Sequence, residues 1–138
     1  MTALAATRTT IEVHGTLYSL PCAAVLIYQG ALVAINASGF ATKGAAATTL
    51  KQFGRAEETV DNSGGNAGDK SINVKTGVFL WANSTSGDLI TRAEIGSDCY
   101  IVDDQTVAKT NGSNTRSRAG KVVFVDAAGV YVAMGPSV

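Results

Sequence analysis

Apolar and polar residues alternate along most of this 138-residue chain in runs of roughly four to eight, the period-two pattern of half-buried strands. Turn-forming residues separate the runs. Thr16 to Tyr28 carries strand residues interrupted by Pro21, which has no N–H for a ladder and so predicts an edge position or irregular backbone there. Ala31-Leu-Val-Ala-Ile35 predicts a short apolar strand. Asn36-Ala-Ser-Gly39 predicts a turn, and Phe40-Ala-Thr-Lys43 the return strand. Gly44 to Lys51 is rich in Ala and Thr and is read as loop. Phe53 to Val60 is read as one strand, with Phe53, Arg55, Glu57 and Thr59 on one face.

Asp61-Asn-Ser-Gly-Gly-Asn-Ala-Gly-Asp-Lys70 is the longest turn-rich segment and predicts a protruding loop. Ile72, Val74 and Thr76 then share a strand face, and Gly77 is expected to kink or bulge the chain before Val78-Phe-Leu-Trp81. Asn83 to Asp88 turns. Thr91-Arg-Ala-Glu94 has capping-box spacing and predicts one helical turn, stopped by Gly96. Cys99-Tyr-Ile-Val102 and Thr106-Val-Ala-Lys109 flank Asp103-Asp-Gln105 as a hairpin, and Asn111-Gly112 is a strong turn pair. Lys121 to Asp126, Ala127-Ala-Gly129 and Val130 to Met134 form the clearest hairpin. Val122 and Phe124 are expected on one of its faces, opposite a stripe of Val130, Val132 and Met134. Short strands at this spacing predict an all-β fold, a small antiparallel barrel or sandwich with at most one or two helical turns. The first residues lack large apolar anchors. Residues 1–14 are therefore read as an extended N-terminal arm, either ordered on a partner or simply frayed, and 15–138 as a single β domain. Fully extended, the arm would span about 50 Å.

Composition narrows the function classes. The chain is 46% apolar, enough for a core, and only 16% charged, which leaves a surface cheap to desolvate. Lys+Arg and Asp+Glu balance at 11 each, without the basic excess that phosphate binding requires, so no nucleic-acid partner is expected. Arg116, Arg118 and Lys121, near Lys109, form the one basic cluster; Arg116 and Arg118 would share a face of a strand, either solvated or a binding patch. No run approaches the roughly 18 apolar residues of a membrane helix, so no membrane partner is expected, and the N-terminus lacks the pattern of a secretory signal. Synthesis in the cytoplasm is the resulting expectation, with Cys22 and Cys99 as reduced, buried thiols rather than a disulfide or metal ligands.

Candidate chemistry is sparse. His14 is the only histidine, with no carboxylate or serine placed beside it by spacing. Gly64 to Ser71 superficially resembles a phosphate loop, but Asp69 interrupts Gly-Lys and a strand follows where the motif needs a helix. Asp61, Asn62, Ser63, Asn66 and Asp69 offer oxygens to a hard cation without the spacing or closing Glu of a calcium loop. Asp103 and Asp104 are neighbours in a hairpin and would point apart. Asn36, Asn83 and Asn111 match the glycosylation pattern by chance in a Ser/Thr-rich chain. Trp81 and Tyr131 are read as core residues or as anchors of a subunit contact. No catalytic, cofactor-binding or metal-binding residue is assigned, no cofactor is expected, and the chain is read as a binding protein and not an enzyme.

Ala31-Leu-Val-Ala-Ile-Asn36, Gly54-Arg-Ala-Glu-Glu-Thr-Val-Asp-Asn-Ser-Gly-Gly65, Gly77-Val-Phe79 with Ala82-Asn-Ser84, and Tyr100-Ile-Val-Asp-Asp-Gln-Thr-Val-Ala-Lys109 resemble tailed-bacteriophage head proteins, more narrowly the small decoration (cement) proteins. The likeness spans roughly residues 15–135 and is one of pattern. It implies a virion protein on the outer capsid surface, a homotrimer at three-fold or quasi-three-fold positions that stabilises the head, with the major capsid protein and its own copies as partners. By the same resemblance the arm would touch the capsid through Thr7, Arg8, Thr9, Thr10, Ile11 and His14; the oligomer contact is assigned to Trp81 and Tyr131 as rings able to anchor it. The alternatives are another virion role (head fibre base or tail-tube component) or a module that binds carbohydrate or a host surface, using Trp81 and the 61–70 loop.

Overall fold

The computed structural model describes residues 2–10 and 15–138. Strand accounts for 42% of the chain and helix for 5%, so the protein is all-β. In chain order the strands are β1 (Leu17–Pro21), β2 (Leu26–Ile27), β3 (Leu32–Ile35), β4 (Ala41–Lys43), β5 (Lys51–Ala56), β6 (Val60–Asp61), β7 (Ser71–Lys75), β8 (Gly77–Trp81), β9 (Asp98–Ile101), β10 (Val107–Ala108), β11 (Arg118–Asp126) and β12 (Gly129–Met134). The helical content is two 3-10 turns, Ser86–Asp88 and Arg92–Glu94. Thr91 and Glu94 close the second reciprocally as a capping box.

Two five-stranded antiparallel sheets carry the fold. The first runs β1-β7-β5-β3-β4 and the second β10-β9-β11-β12-β8; β2 and β6 form a separate ribbon. Neither sheet closes into a barrel, so the sandwich is the architecture formed. Pro21 ends β1, an edge strand, where its missing N–H breaks no ladder. The chain passes between the sheets at Gly77: β7 belongs to the first and β8 to the second, and Gly77 sits at φ +151°, a conformation closed to most side chains.

The interior is two apolar clusters divided by the first sheet. Leu32 and Ala34 of β3 face the second sheet and pack with Phe79, Trp81, Cys99, Ile101, Val122, Val130, Val132 and Met134. Val33, next along the strand, points the other way, into Cys22, Ile27, Phe53, Val60, Ile72 and Val74. β3 is thus buried on both faces, which is why it reads as a continuous apolar run. Gln52 ties the two sheets together. Its Nε2 donates to Gly135 O at 2.7 Å and its Oε1 accepts from Gly135 N at 2.8 Å, both buried. Beside it the Arg55 guanidinium lies 4.8 Å from the centre of the Phe79 ring.

Three expectations from the pattern are corrected. Phe53 to Val60 is not one strand: β5 starts at Lys51, ends at Ala56, and gives way to an irregular stretch before β6. The β3–β5 register shifts between Val33 and Ala34, which places Phe53 and Gly54 both inside and spoils simple alternation. Val122 and Phe124 do not share a face. The β11–β12 register shifts between them, so Val122 is buried while Phe124 is 48% exposed. Arg116 and Arg118 form no basic patch: Arg116 precedes β11 and pairs with Asp88, and Arg118 pairs with Asp98. The accessible surface, 7935 Å², exceeds the roughly 6,700 Å² that mass scaling gives a compact chain of this size. Residues 2–10, exposed throughout, contribute to that excess.

Candidate interaction surface

The titratable and nucleophilic groups are dispersed. Cys22 and Cys99 are free and buried in different clusters, so no bridge joins them. Burial pushes the Cys99 thiol up to about 12 and raises the Cys22 thiol too, which keeps both protonated and unreactive at neutral pH. Among the described residues no group of three or more His, Cys, Asp or Glu side chains converges as a metal set. Asp103 closes its own turn by accepting from Gln105 N, and Asp104 contributes its backbone carbonyl to Leu32 N.

The 61–70 loop bonds within itself and to the 22–25 segment beside it. Asp61 accepts from Ser63 N at 3.0 Å and from the Ser63 hydroxyl; those bonds, the hydroxyl's first, hold its carboxyl below the usual range. Asp69 accepts from Asn66 N, and Lys70 Nζ reaches Asp61 O at 2.7 Å. Asn62 is buried beneath the loop, its amide NH2 shared among the carbonyls of Cys22, Ala23 and Asn66. Among the described residues its buried Oδ1 has no hydrogen-bond partner. The loop backbone is pinned to the 22–25 segment as well, Lys70 O accepting from Cys22 N, Gly68 N donating to Cys22 O and Asn62 N to Val25 O.

The outward face of the second sheet is different in kind. Alternation along β8 and β12 sends Phe79, Trp81, Val130, Val132 and Met134 inward, leaving Val78, Leu80, Tyr131 and Ala133 outward. The bulge in β11 then adds Phe124 to that outward set, paired across the ladder with Tyr131, which is itself paired with Leu80. The Phe124 and Tyr131 ring centres are 5.8 Å apart. Val78 is 54% exposed, Leu80 44% and Val123, the extra residue of the bulge, 44%. Tyr131 donates its hydroxyl to Asp126 Oδ2 at 3.1 Å, a bond that raises its pKa and fixes the ring across the patch. Lys121 and Asp126, both exposed, stand at opposite ends of the β11 stretch that crosses this face.

Of the anchors expected from sequence, only Tyr131 lies on this surface. Trp81 is 4% exposed, its Nε1 donating to the Met134 sulfur at 3.3 Å, so the core reading of it holds and the oligomer-contact reading is corrected, since it has no area to offer another chain. It points inward because it falls one residue out of phase with Leu80. Thr7, Arg8, Thr9 and Thr10 are exposed, while Ile11 and His14 lie outside the described residues. The sequence reading missed Val78, Leu80, Val123 and Phe124. Alternation around the buried Trp81 carried the signal for the β8 pair; the bulge that exposes Phe124 left none.

Elsewhere the surface offers shallow features. An open groove of about 430 Å³ runs between Ile35, Leu50, Phe53 and Pro136. Lys51 and Arg118 are its cations, and Arg118 is already held by Asp98 at 2.8 Å and by the Val138 carbonyl at 2.9 Å. No family model, curated protein or solved structure matches the chain.

Proposed function

We propose that this protein is a structural component of a larger protein assembly, a decoration protein that binds the outer surface of a tailed-phage head and stabilises it. One observation carries the assembly part of the reading: a contiguous apolar patch on an outward sheet face, while among the described residues no three or more His, Cys, Asp or Glu side chains converge. Proteins bury such patches against other proteins. The phage head as the particular assembly rests on the sequence resemblance. Balanced charge supports a protein rather than a polyanion as the partner.

The direct experiment mixes purified protein with undecorated, expanded phage heads and measures co-sedimentation. Saturable binding, with heads then resisting heat or chelator better, is the expected result; absence of binding to mature heads removes the phage reading. The exposed segment at 2–10 gives a second handle. Its deletion is expected to weaken head binding while leaving the melting temperature of the domain unchanged, and an equal fall in both would assign the segment to the fold instead.

The carbohydrate-binding alternative moves from Trp81 to a different residue. Tyr28 is 62% exposed beside Gln29, Asp104 and Gln105, a ring next to polar groups, as sugar recognition requires. Glycan-array binding lost in Tyr28→Ala would favour it over the capsid reading.

A further inference from the structure

We infer that the outward face of the second sheet is a self-recognition surface, on which a second copy of this chain packs face to face about a two-fold axis. This rests on the reading of the protein as an assembly component and names the partner of that surface.

Val78, Leu80, Val123 and Phe124 are each about half exposed, and with Tyr131 and Ala133 they present on the order of 300–400 Å² of apolar surface, within the range of the largest patch on a typical monomer. One sheet face can cover another, the packing that builds sandwiches. A standard contact covers about 800 Å² per partner, with its apolar part at the centre and a polar rim around it. This patch supplies such a centre, and Lys121, Asp126 and the Asp98–Lys121 pair supply the rim.

The charges choose the symmetry. β11 crosses the patch with Lys121 at one end and Asp126 at the other, both exposed. A two-fold axis lying in the contact plane and perpendicular to β11 stacks the two copies of β11 in opposite directions. Lys121 of each copy then faces Asp126 of the other, and Phe124 and Tyr131 meet their own counterparts near the axis. An axis along β11 would set lysine against lysine and aspartate against aspartate. Pairing the exposed β8 edges would continue the sheet but leave the apolar face uncovered. The chain carries no net charge, so two copies do not repel at long range. The arrangement is a dimer, where the resemblance to decoration proteins implies a trimer.

The test is sedimentation equilibrium of the full chain at neutral pH, with melting temperatures measured for every variant. Association to twice the monomer mass is expected at concentrations below about 1 mM. Phe124→Asp, at an exposed position, should weaken association at least tenfold with the melting temperature unchanged. Lys121→Glu should weaken it as well. A chain that stays monomeric to about 1 mM, that forms trimers, or that dimerises as well with Phe124→Asp or Lys121→Glu would overturn the proposal. Head co-sedimentation of the same samples separates the two readings: a monomer that still binds heads, and loses that binding in Phe124→Asp, assigns the patch to the capsid and keeps the assembly reading.

Discussion

Gln52 is the place where one side chain holds the two sheets together. Its amide makes two buried hydrogen bonds to the N–H and C=O of Gly135, at 2.8 and 2.7 Å, joining β5 of the first sheet to the residue that follows β12 of the second. Gln52→Met keeps the length and most of the volume but leaves both Gly135 groups buried without partners. Each buried group left unsatisfied costs about 1–3 kcal/mol, so the expected loss is roughly 2–6 kcal/mol. That is a large share of the 5–15 kcal/mol typical of a whole domain. At roughly 3–5 °C per kcal/mol for a chain of this length, the melting temperature should fall by about 6–30 °C. Urea unfolding measures the free energy directly, with the slope reporting whether the denatured state has changed. Gln52→Glu sharpens the test. Its ionised form places a buried negative charge against the Gly135 carbonyl, so the folded pKa rises above the unfolded value near 4.3. The protonated acid can make both bonds. The deficit relative to the native chain should therefore be smallest below about pH 4 and grow as pH rises through the folded pKa. A loss under about 1 kcal/mol for Gln52→Met at unchanged slope, or a Gln52→Glu deficit flat between pH 4 and 7, would refute the clamp.

Other consequences can be checked with the same unfolding measurement. Gly129 has φ +146°, and a Cβ there would stand 2.3 Å from the Trp81 carbonyl oxygen; Gly129→Ala should cost at least about 3 kcal/mol. Gly39, at φ +89° with open space around it, is the control, and Gly39→Ala should cost only about 1–2 kcal/mol. Both thiols should resist a disulfide reagent such as DTNB at pH 8 until urea unfolds the chain, and rapid labelling of the native state would contradict their burial. Because the folded Cys99 pKa lies near 12 and the reference is 9.0, its neutral form is favoured in the fold; stability should decline as pH rises above about 9, less so in Cys99→Ala. Asp88 accepts from Thr110 and pairs with Arg116 at 3.1 Å, which hold its carboxyl below the usual range. That contribution is present above the unfolded value near 3.8 and is lost as pH falls through the lower folded value, so Asp88→Asn should flatten the acid limb of the stability profile.

Local period and turn chemistry were readable from residues alone. The return strand after Asn36 to Gly39, the capping box at Thr91 and Glu94 and the two-strand unit ending at Met134 all depend on neighbours within a few positions, and all stand where the pattern puts them. The all-β class follows from the same signals. Register did not follow. A bulge is defined by the partner strand, which lies far away in sequence, and nothing local to Lys121–Asp126 announces that Val123 is the extra residue.

That single insertion decides the surface. It turns Phe124 out of the core and beside Tyr131 and Leu80, while Trp81, one step from Leu80 along β8, turns in. Sequence therefore settled that this chain folds as short strands around an apolar interior with little charge to hold it apart from other proteins. Which apolar residues fill that interior, and which are left outside to be covered, was decided only when strands from distant parts of the chain paired, because the direction of every side chain on a strand depends on the register of its neighbour.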